Sequence, residues 1–177
     1  ILGFDETTIE SPYRVIANIP YYLTGKLIQK FLLSPNKPSE LILMVQKEVG
    51  ERITAQPPRA NFLSSLVQFL AECEILFKVG RENFWPQPQV DSVIIKLTPH
   101  VTSIFSMSQR SLTHAKLIEL NKFIEFLKVV FKQPRQTLFN NLKKTNTAKP
   151  EQIENILKQL GFDKKIRAQN LNKEKLL

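Results

Sequence analysis

The chain has 177 residues, 42% hydrophobic and 23% charged, with a formal net charge of +9 at pH 7, enough to bury a sizeable core in one domain or in one domain with a smaller appendage. No run of eighteen apolar residues occurs, which excludes a membrane-spanning helix from these residues; the single cysteine, Cys73, excludes an internal disulfide and leads to the expectation of a reducing, cytoplasmic compartment. The charge is uneven: residues 1–113 hold 11 Lys/Arg against 10 Asp/Glu, and residues 114–177 hold 14 against 6, so chemistry is expected in the first part and polyanion binding in the second, with a lysine-rich solvated surface as the plainer alternative.

Ile1 stands where a methionine opens a complete chain, and no charged-then-apolar leader follows; the chain is therefore expected to be the C-terminal part of a longer one. Tyr13 to Ala17 is short, β-branched and apolar, and predicts a buried strand. Leu23, Leu27, Ile28, Phe31 and Leu32 form a helical stripe over Thr24 to Leu33, opened by a threonine cap and ended by a loop with Pro35 and Pro38. "ELILMV", Glu40 to Val45, predicts a second buried strand. Strand, helix and strand with short joints predict a parallel sheet. Lys47 to Ile53 and Asn61 to Ala71 are expected to be helices. Glu74 to Val79 and Ser92 to Leu97 are expected to be strands of an antiparallel hairpin closing the sheet edge. Thr98 to Thr113 is polar and aperiodic. Beyond it, helices are predicted over Lys116 to Phe131, Arg135 to Lys144 and Pro150 to Leu160, the last stopped at Gly161, with Asn172 as the cap of a final short helix. The domain expectation is a partial catalytic domain over 1–99, a linker over 100–115 and a helical domain over 116–177.

Three segments carry chemistry. In "NIPYY" a strand ends in an amide, a proline and two phenols, where an α/β sheet binds its ligands. Asn18 offers a side-chain carbonyl, and Pro20 biases Ile19 toward an extended backbone whose C=O stands outside the ladder; Tyr21 offers a flat face. Two acceptors beside an aromatic platform suit an exocyclic amine on a flat base, the competing reading being ordinary turn chemistry. In "NFWPQPQVDS", Phe84 and Trp85 sit on a loop stiffened by Pro86 and Pro88, able to close over an unstacked base. For Trp85 the expectation is instead a plug in the core between sheet and tail, and for Asp91 a loop-pinning role. In "FKQPRQTLFNNLKK", Lys132, Arg135, Lys143 and Lys144 are spaced for phosphate contacts, or for a solvated helix face. His100 and His114 are isolated, no metal-ligand spacing occurs, and the five glycines include no G-x-G pair.

In this order, "VIANIPYYLTGKLIQKFL", "LMVQKEVGERITAQP", "FWPQPQVDSVIIKL", "FKQPRQTLFNNL" and "IRAQNLNKEKLL" resemble segments of the ribosomal RNA adenine dimethyltransferase family, in its small-subunit (16S) form. Gln89 and the Gln133 to Gln136 run stand where that family commonly has basic residues. The resemblance implies an α/β fold: the C-terminal part of a Rossmann-like methyltransferase domain followed by a small all-α domain that binds rRNA. It implies S-adenosylmethionine as methyl donor and dimethylation of two adjacent adenosines near the 3′ end of 16S rRNA, in small-subunit biogenesis. Asn18, Ile19, Pro20, Tyr21 and Phe84 would form the adenine site, Asn18 would also border the donor, and Lys132, Arg135, Lys143 and Lys144 would contact RNA. No metal and no membrane are expected, the protein is expected to act as a monomer, and the 177 residues alone are expected to be inactive because the donor's glycine loop lies upstream in the family. A large-subunit rRNA methyltransferase of the antibiotic-resistance type and a non-catalytic ribosome-assembly factor remain as alternatives.

Overall fold

The computed structural model describes residues 2–100, 114–145 and 147–171. Four strands form one mixed sheet: β1 (Arg14–Asn18), β2 (Glu40–Gln46), β3 (Ala71–Val79) and β4 (Ser92–Pro99), in the spatial order β1-β2-β4-β3. β1 and β2 are parallel, Asn18 lying opposite Met44, and α1 (Thr24–Leu33) is the crossover between them. The expected hairpin of β3 and β4 is antiparallel, and its second strand inserts between β2 and β3, so that β3 is the edge strand on that side. A bulge at Leu76 shifts the β3 register between Ile75 and Phe77, which increases local twist on that edge.

The period of two assigns the faces. Leu41, Leu43 and Val45 of β2 lie opposite Leu97, Ile95 and Val93 of β4, and all six are fully buried. α1, α2 (Lys47–Ile53) and α3 (Phe62–Leu70) contribute Leu27, Ile28, Leu32, Ile53, Leu66 and Leu70 to the same core. The other face carries Ile16, 74% exposed, and two cross-strand ion pairs, Arg14–Glu40 at 3.0 Å and Lys96–Glu74 at 2.5 Å. α2 approaches β4 through Gly50, where an added Cβ would fall 2.4 Å from Val93 Cγ2.

Beside the sheet, the starts of α1 and α3 differ from the sequence expectation. Thr24 does not cap α1: its hydroxyl donates back to the Tyr21 carbonyl at 3.0 Å, because a 3₁₀ turn over Tyr21–Leu23 runs directly into the helix. Asn61, expected as the first residue of α3, is its N-cap, and its side chain and that of Ser64 satisfy each other's backbone N–H groups in a capping box.

The C-terminal helices are α4 (His114–Val130), α5 (Leu138–Lys143) and α6 (Pro150–Gln159). α4 packs on α3, the Phe69 and Phe123 ring centroids 4.2 Å apart. α5 begins three residues later than the sequence predicted, since Gln133 to Gln136 make a turn and Thr137 caps the helix by accepting from the Asn140 N–H at 3.2 Å. Gly161 ends α6 with φ +72°, as its glycine suggested. The expected cap at Asn172 and most of the linker over 100–115 lie outside the described residues.

Asn141 is the polar residue that organises this region. Buried in α5, it donates from Nδ2 to the Val130 carbonyl at 3.0 Å and to the Gln133 carbonyl at 3.1 Å. It thereby satisfies the open end of α4 and fixes the turn that follows. Asn141→Leu leaves both carbonyls without that donor and is expected to destabilise the chain by about 1–3 kcal/mol. A urea titration checks this, with exposed Asn140→Leu as the control expected to leave the midpoint unchanged.

Candidate adenine-binding site

The carboxyl ends of β1 and β2 lie side by side, and the chain leaves β1 through Asn18, Ile19 and Pro20. The alternation of β1 turns the Asn18 side chain to the open face of the sheet and exposes it. Its amide makes no hydrogen bond to a described residue. Ile19 buries its side chain, anchoring the turn in the core, while its carbonyl, past the last ladder pair, accepts no hydrogen bond from a described residue either. The short β1 ladder and Pro20, which lacks an N–H, leave these two acceptors outside the sheet.

Tyr21 is half-buried, and its phenol shares a 2.8 Å hydrogen bond with the hydroxyl of Ser92, the fully buried first residue of β4. That bond ties the end of β1 to the start of β4 across 71 positions of sequence and fixes the tilt of the ring. Tyr22, next in the chain, is 81% exposed.

The loop from β3 to β4 reaches the same rim. A 3₁₀ turn over Arg81–Asn83 leads into Phe84, half-buried, with extended backbone angles. Asp91 pins the loop as expected: its Oδ1 accepts from the Arg81 N–H at 3.2 Å, and its carbonyl accepts from the Lys47 N–H at 2.9 Å. A cleft of about 310 Å³ lies there, with Gln46, Lys47, Arg81, Gln89 and Asp91 in its wall. Trp85 corrects the expectation of a core plug. It is 97% exposed, because extended backbone sends neighbouring side chains to opposite sides and Phe84 takes the inward direction.

Asn18, Ile19, Pro20 and Tyr21 thus sit at the carboxyl end of β1, and Phe84 lies on the β3–β4 loop at the same end of the sheet, where the Tyr21–Ser92 bond joins β1 to the start of β4. Lys132, Arg135, Lys143 and Lys144 are exposed on the helical part, around the α4–α5 turn and the end of α5. Lys144 donates from Nζ to Gln133 Oε1 at 2.7 Å, drawing the end of α5 toward that turn. Ser92 and Lys47 were not singled out by sequence reasoning; their roles depend on strand order, which no local pattern contains. Among the described residues no cluster of His, Cys, Asp or Glu is suited to a metal. Burial, helped by Glu74, pushes the Cys73 thiol up to about 12, which removes it as a nucleophile.

The sequence profile of the family described as "Ribosomal RNA adenine dimethylase" matches residues 3–177. The chain belongs to that family. Among curated relatives it is 35% identical over 170 residues to "Ribosomal RNA small subunit methyltransferase A" of Nostoc punctiforme, covering 92% of this chain and 55% of the relative. It is 33% identical over 176 residues to the protein of the same name from Moorella thermoacetica, covering 98% and 57%. The chain therefore spans about half the length of the curated relatives it matches.

A solved dimethyladenosine transferase from Plasmodium falciparum has the same fold, with TM-score 0.74 and 24% identity, over 97% of this chain and 69% of that one. The 23S rRNA methyltransferase ErmE follows with TM-score 0.67 and 22% identity, over 97% and 66%. These likenesses establish the expected fold class for the sheet and its helices, a Rossmann-like methyltransferase fold.

Proposed function

We propose that this chain carries the acceptor-base half of an S-adenosylmethionine-dependent rRNA adenine dimethyltransferase. The whole protein would act as a cytoplasmic monomer on two adjacent adenosines near the 3′ end of 16S rRNA during small-subunit biogenesis. The observation that carries this reading is the end of β1, where the Asn18 amide and the Ile19 carbonyl have no hydrogen-bond partner among the described residues and the next ring in the chain, Tyr21, is held by Ser92. The names of the curated relatives support the small-subunit substrate.

The chemistry follows from the amine. An aryl amine is a weak nucleophile because its lone pair is delocalised into the ring. Accepting both N–H hydrogens, one at Asn18 Oδ1 and one at the Ile19 carbonyl, draws the nitrogen toward a pyramidal shape and localises that pair. This is positioning and electrostatic preorganisation and needs no strong base. Tyr21 and Phe84 hold the flipped base between them, which offsets part of the cost of unstacking it. Forming the N–C bond would break the donor's S–C bond and release a neutral thioether, and the strongly acidic ammonium so formed would lose its proton to water. A single N–H then remains, so the second transfer relies on one acceptor and on the rings.

S-adenosylmethionine supplies the electrophilic methyl group. Asn18 fits its border, since a neutral amide whose donor and acceptor atoms bond no described residue tolerates a cationic neighbour without its own charge. The 177 residues alone are expected to transfer no methyl group to undermethylated small subunits, their sequence having no G-x-G loop to cradle the donor. In the domain reading, residues 1–99 bring the base to the site and residues 116–177 hold the rRNA through Lys132, Arg135, Lys143 and Lys144.

Primer extension across both ribosomal RNAs of cells lacking and then regaining the whole protein tests this function. Stops at two adjacent adenosines near the 3′ end of 16S rRNA are expected on regain. A stop confined to large-subunit rRNA would assign the antibiotic-resistance activity, and ribosome binding with no stop in either RNA would assign an assembly role.

A further inference from the structure

The aromatic residues of the rim come in consecutive pairs with opposite exposures. Tyr21 is half-buried and Tyr22 81% exposed; Phe84 is half-buried and Trp85 97% exposed. In the second pair the cause is visible, since Phe84 has φ −121° and ψ 148° and extended chain alternates its side chains.

The loop that carries Trp85 is braced. The Asn83 backbone N–H and side-chain amide both donate to the Gly80 carbonyl at 3.1 Å, and the Phe84 N–H donates to the Arg81 carbonyl at 3.3 Å. Asp91 closes the base of the loop through Arg81 and Lys47, and Pro86 and Pro88 restrict the rest. Tryptophan is highly buried on average, and one presented to water by a fixed loop lacks a partner for both ring faces.

We propose that Trp85 is a stacking platform for an unpaired nucleobase of the RNA strand, next to the adenine taken up at Asn18. The proposal rests on the adenine-site reading above. Pointing away from Phe84, the indole cannot share that residue's base and must meet a neighbouring nucleotide. The cleft at the foot of the loop offers Lys47 and Arg81 to the intervening phosphates, with Glu48 and Asp91 as the acidic members of its wall. Base–indole stacking is tolerant of sequence because every base has a π-face.

Trp85 is the single tryptophan of the 177 residues, so the emission excited at the red edge of the band, where the tyrosines do not absorb, reports on that ring alone. The chain is titrated with an adenylate dodecamer, rA12, and with an abasic ribose-phosphate chain of equal length, binding being followed separately by the anisotropy of end-labelled probes. Quenching by rA12 and none by the bound abasic chain are expected. Trp85→Ala weakens rA12 by on the order of tenfold and leaves the abasic chain unaffected, and Trp85→Phe recovers most of the loss.

Bound rA12 with unchanged emission, equal weakening of both probes, or no binding of rA12 would overturn the proposal. An emission shift that follows protein concentration without RNA would also overturn it, assigning the ring to a second copy of the chain. The two possible failures are separable in the whole protein. Loss of the adenine-site reading appears as no methyl transfer; loss of the Trp85 proposal appears as transfer with base-independent binding.

Discussion

Asn18→Ala in the whole protein lowers methyl transfer about 10²- to 10³-fold, the loss typical of removing one preorganised group from a polar site, and leaves binding to small subunits unchanged. The side chain is exposed at the end of β1 and satisfies no described residue, so its removal opens no cavity and strands no buried polar group. The expected change in stability is therefore small, within about 0.5 kcal/mol. Initial rates of transfer from labelled donor, filter binding of small subunits and a thermal melt give the three readouts. A variant that loses transfer, binding and its melting transition together would make Asn18 a structural residue and remove the basis of the site.

Gly50→Val is the second large effect, and it acts on stability. α2 lies against β4 so closely that a Cβ at position 50 meets Val93 Cγ2 at 2.4 Å and Ile95 Cγ2 at 3.4 Å, and both neighbours are fully buried. Val93 is β-branched and cannot rotate out of the way without a poor rotamer. The helix must move off the sheet, at a cost of about 3 kcal/mol. The same movement displaces Lys47, whose N–H anchors Asp91, so the aromatic loop is disturbed with it. Urea titrations of Gly50→Val, Val93→Ala and the double variant check the cause. The double variant is expected to be more stable than the two single losses summed, because the smaller residue at 93 receives the added methyls. Strict additivity would place the strain elsewhere.

Local pattern carried much of the fold. The apolar stripe from Leu23 to Leu32 placed α1, and the prolines after Leu33 bounded it. The parallel pairing of β1 and β2 follows from the length of the crossover. Strand order was less accessible: that β4 enters between β2 and β3 depends on tertiary packing. With it went the Tyr21–Ser92 bond, whose partners belong to distant segments. The direct passage from Leu70 of α3 to Ala71 of β3 also has no turn residue to announce it.

At the site, residue types were readable and directions were not. An amide, a proline and a phenol at a strand end announced acceptors and a ring, while the exposure of Trp85 turned on the backbone angles of its neighbour. Thr24 and Thr137 show the same division. Both are threonines before helical stripes, yet only Thr137 caps a helix, because the turn before Thr24 already supplies helical geometry.

The central claim is that the adenine meets the end of β1. Photo-crosslinking tests it most directly, with 8-azidoadenosine replacing each of the two adjacent target adenosines in undermethylated small subunits bound to the whole protein. Mass spectrometry of the irradiated complex is expected to find the modified nucleotide on a peptide containing residues 18–22 or Phe84. Crosslinks confined to the helical residues 114–171, with none at the β1 end or the aromatic loop, would contradict the account.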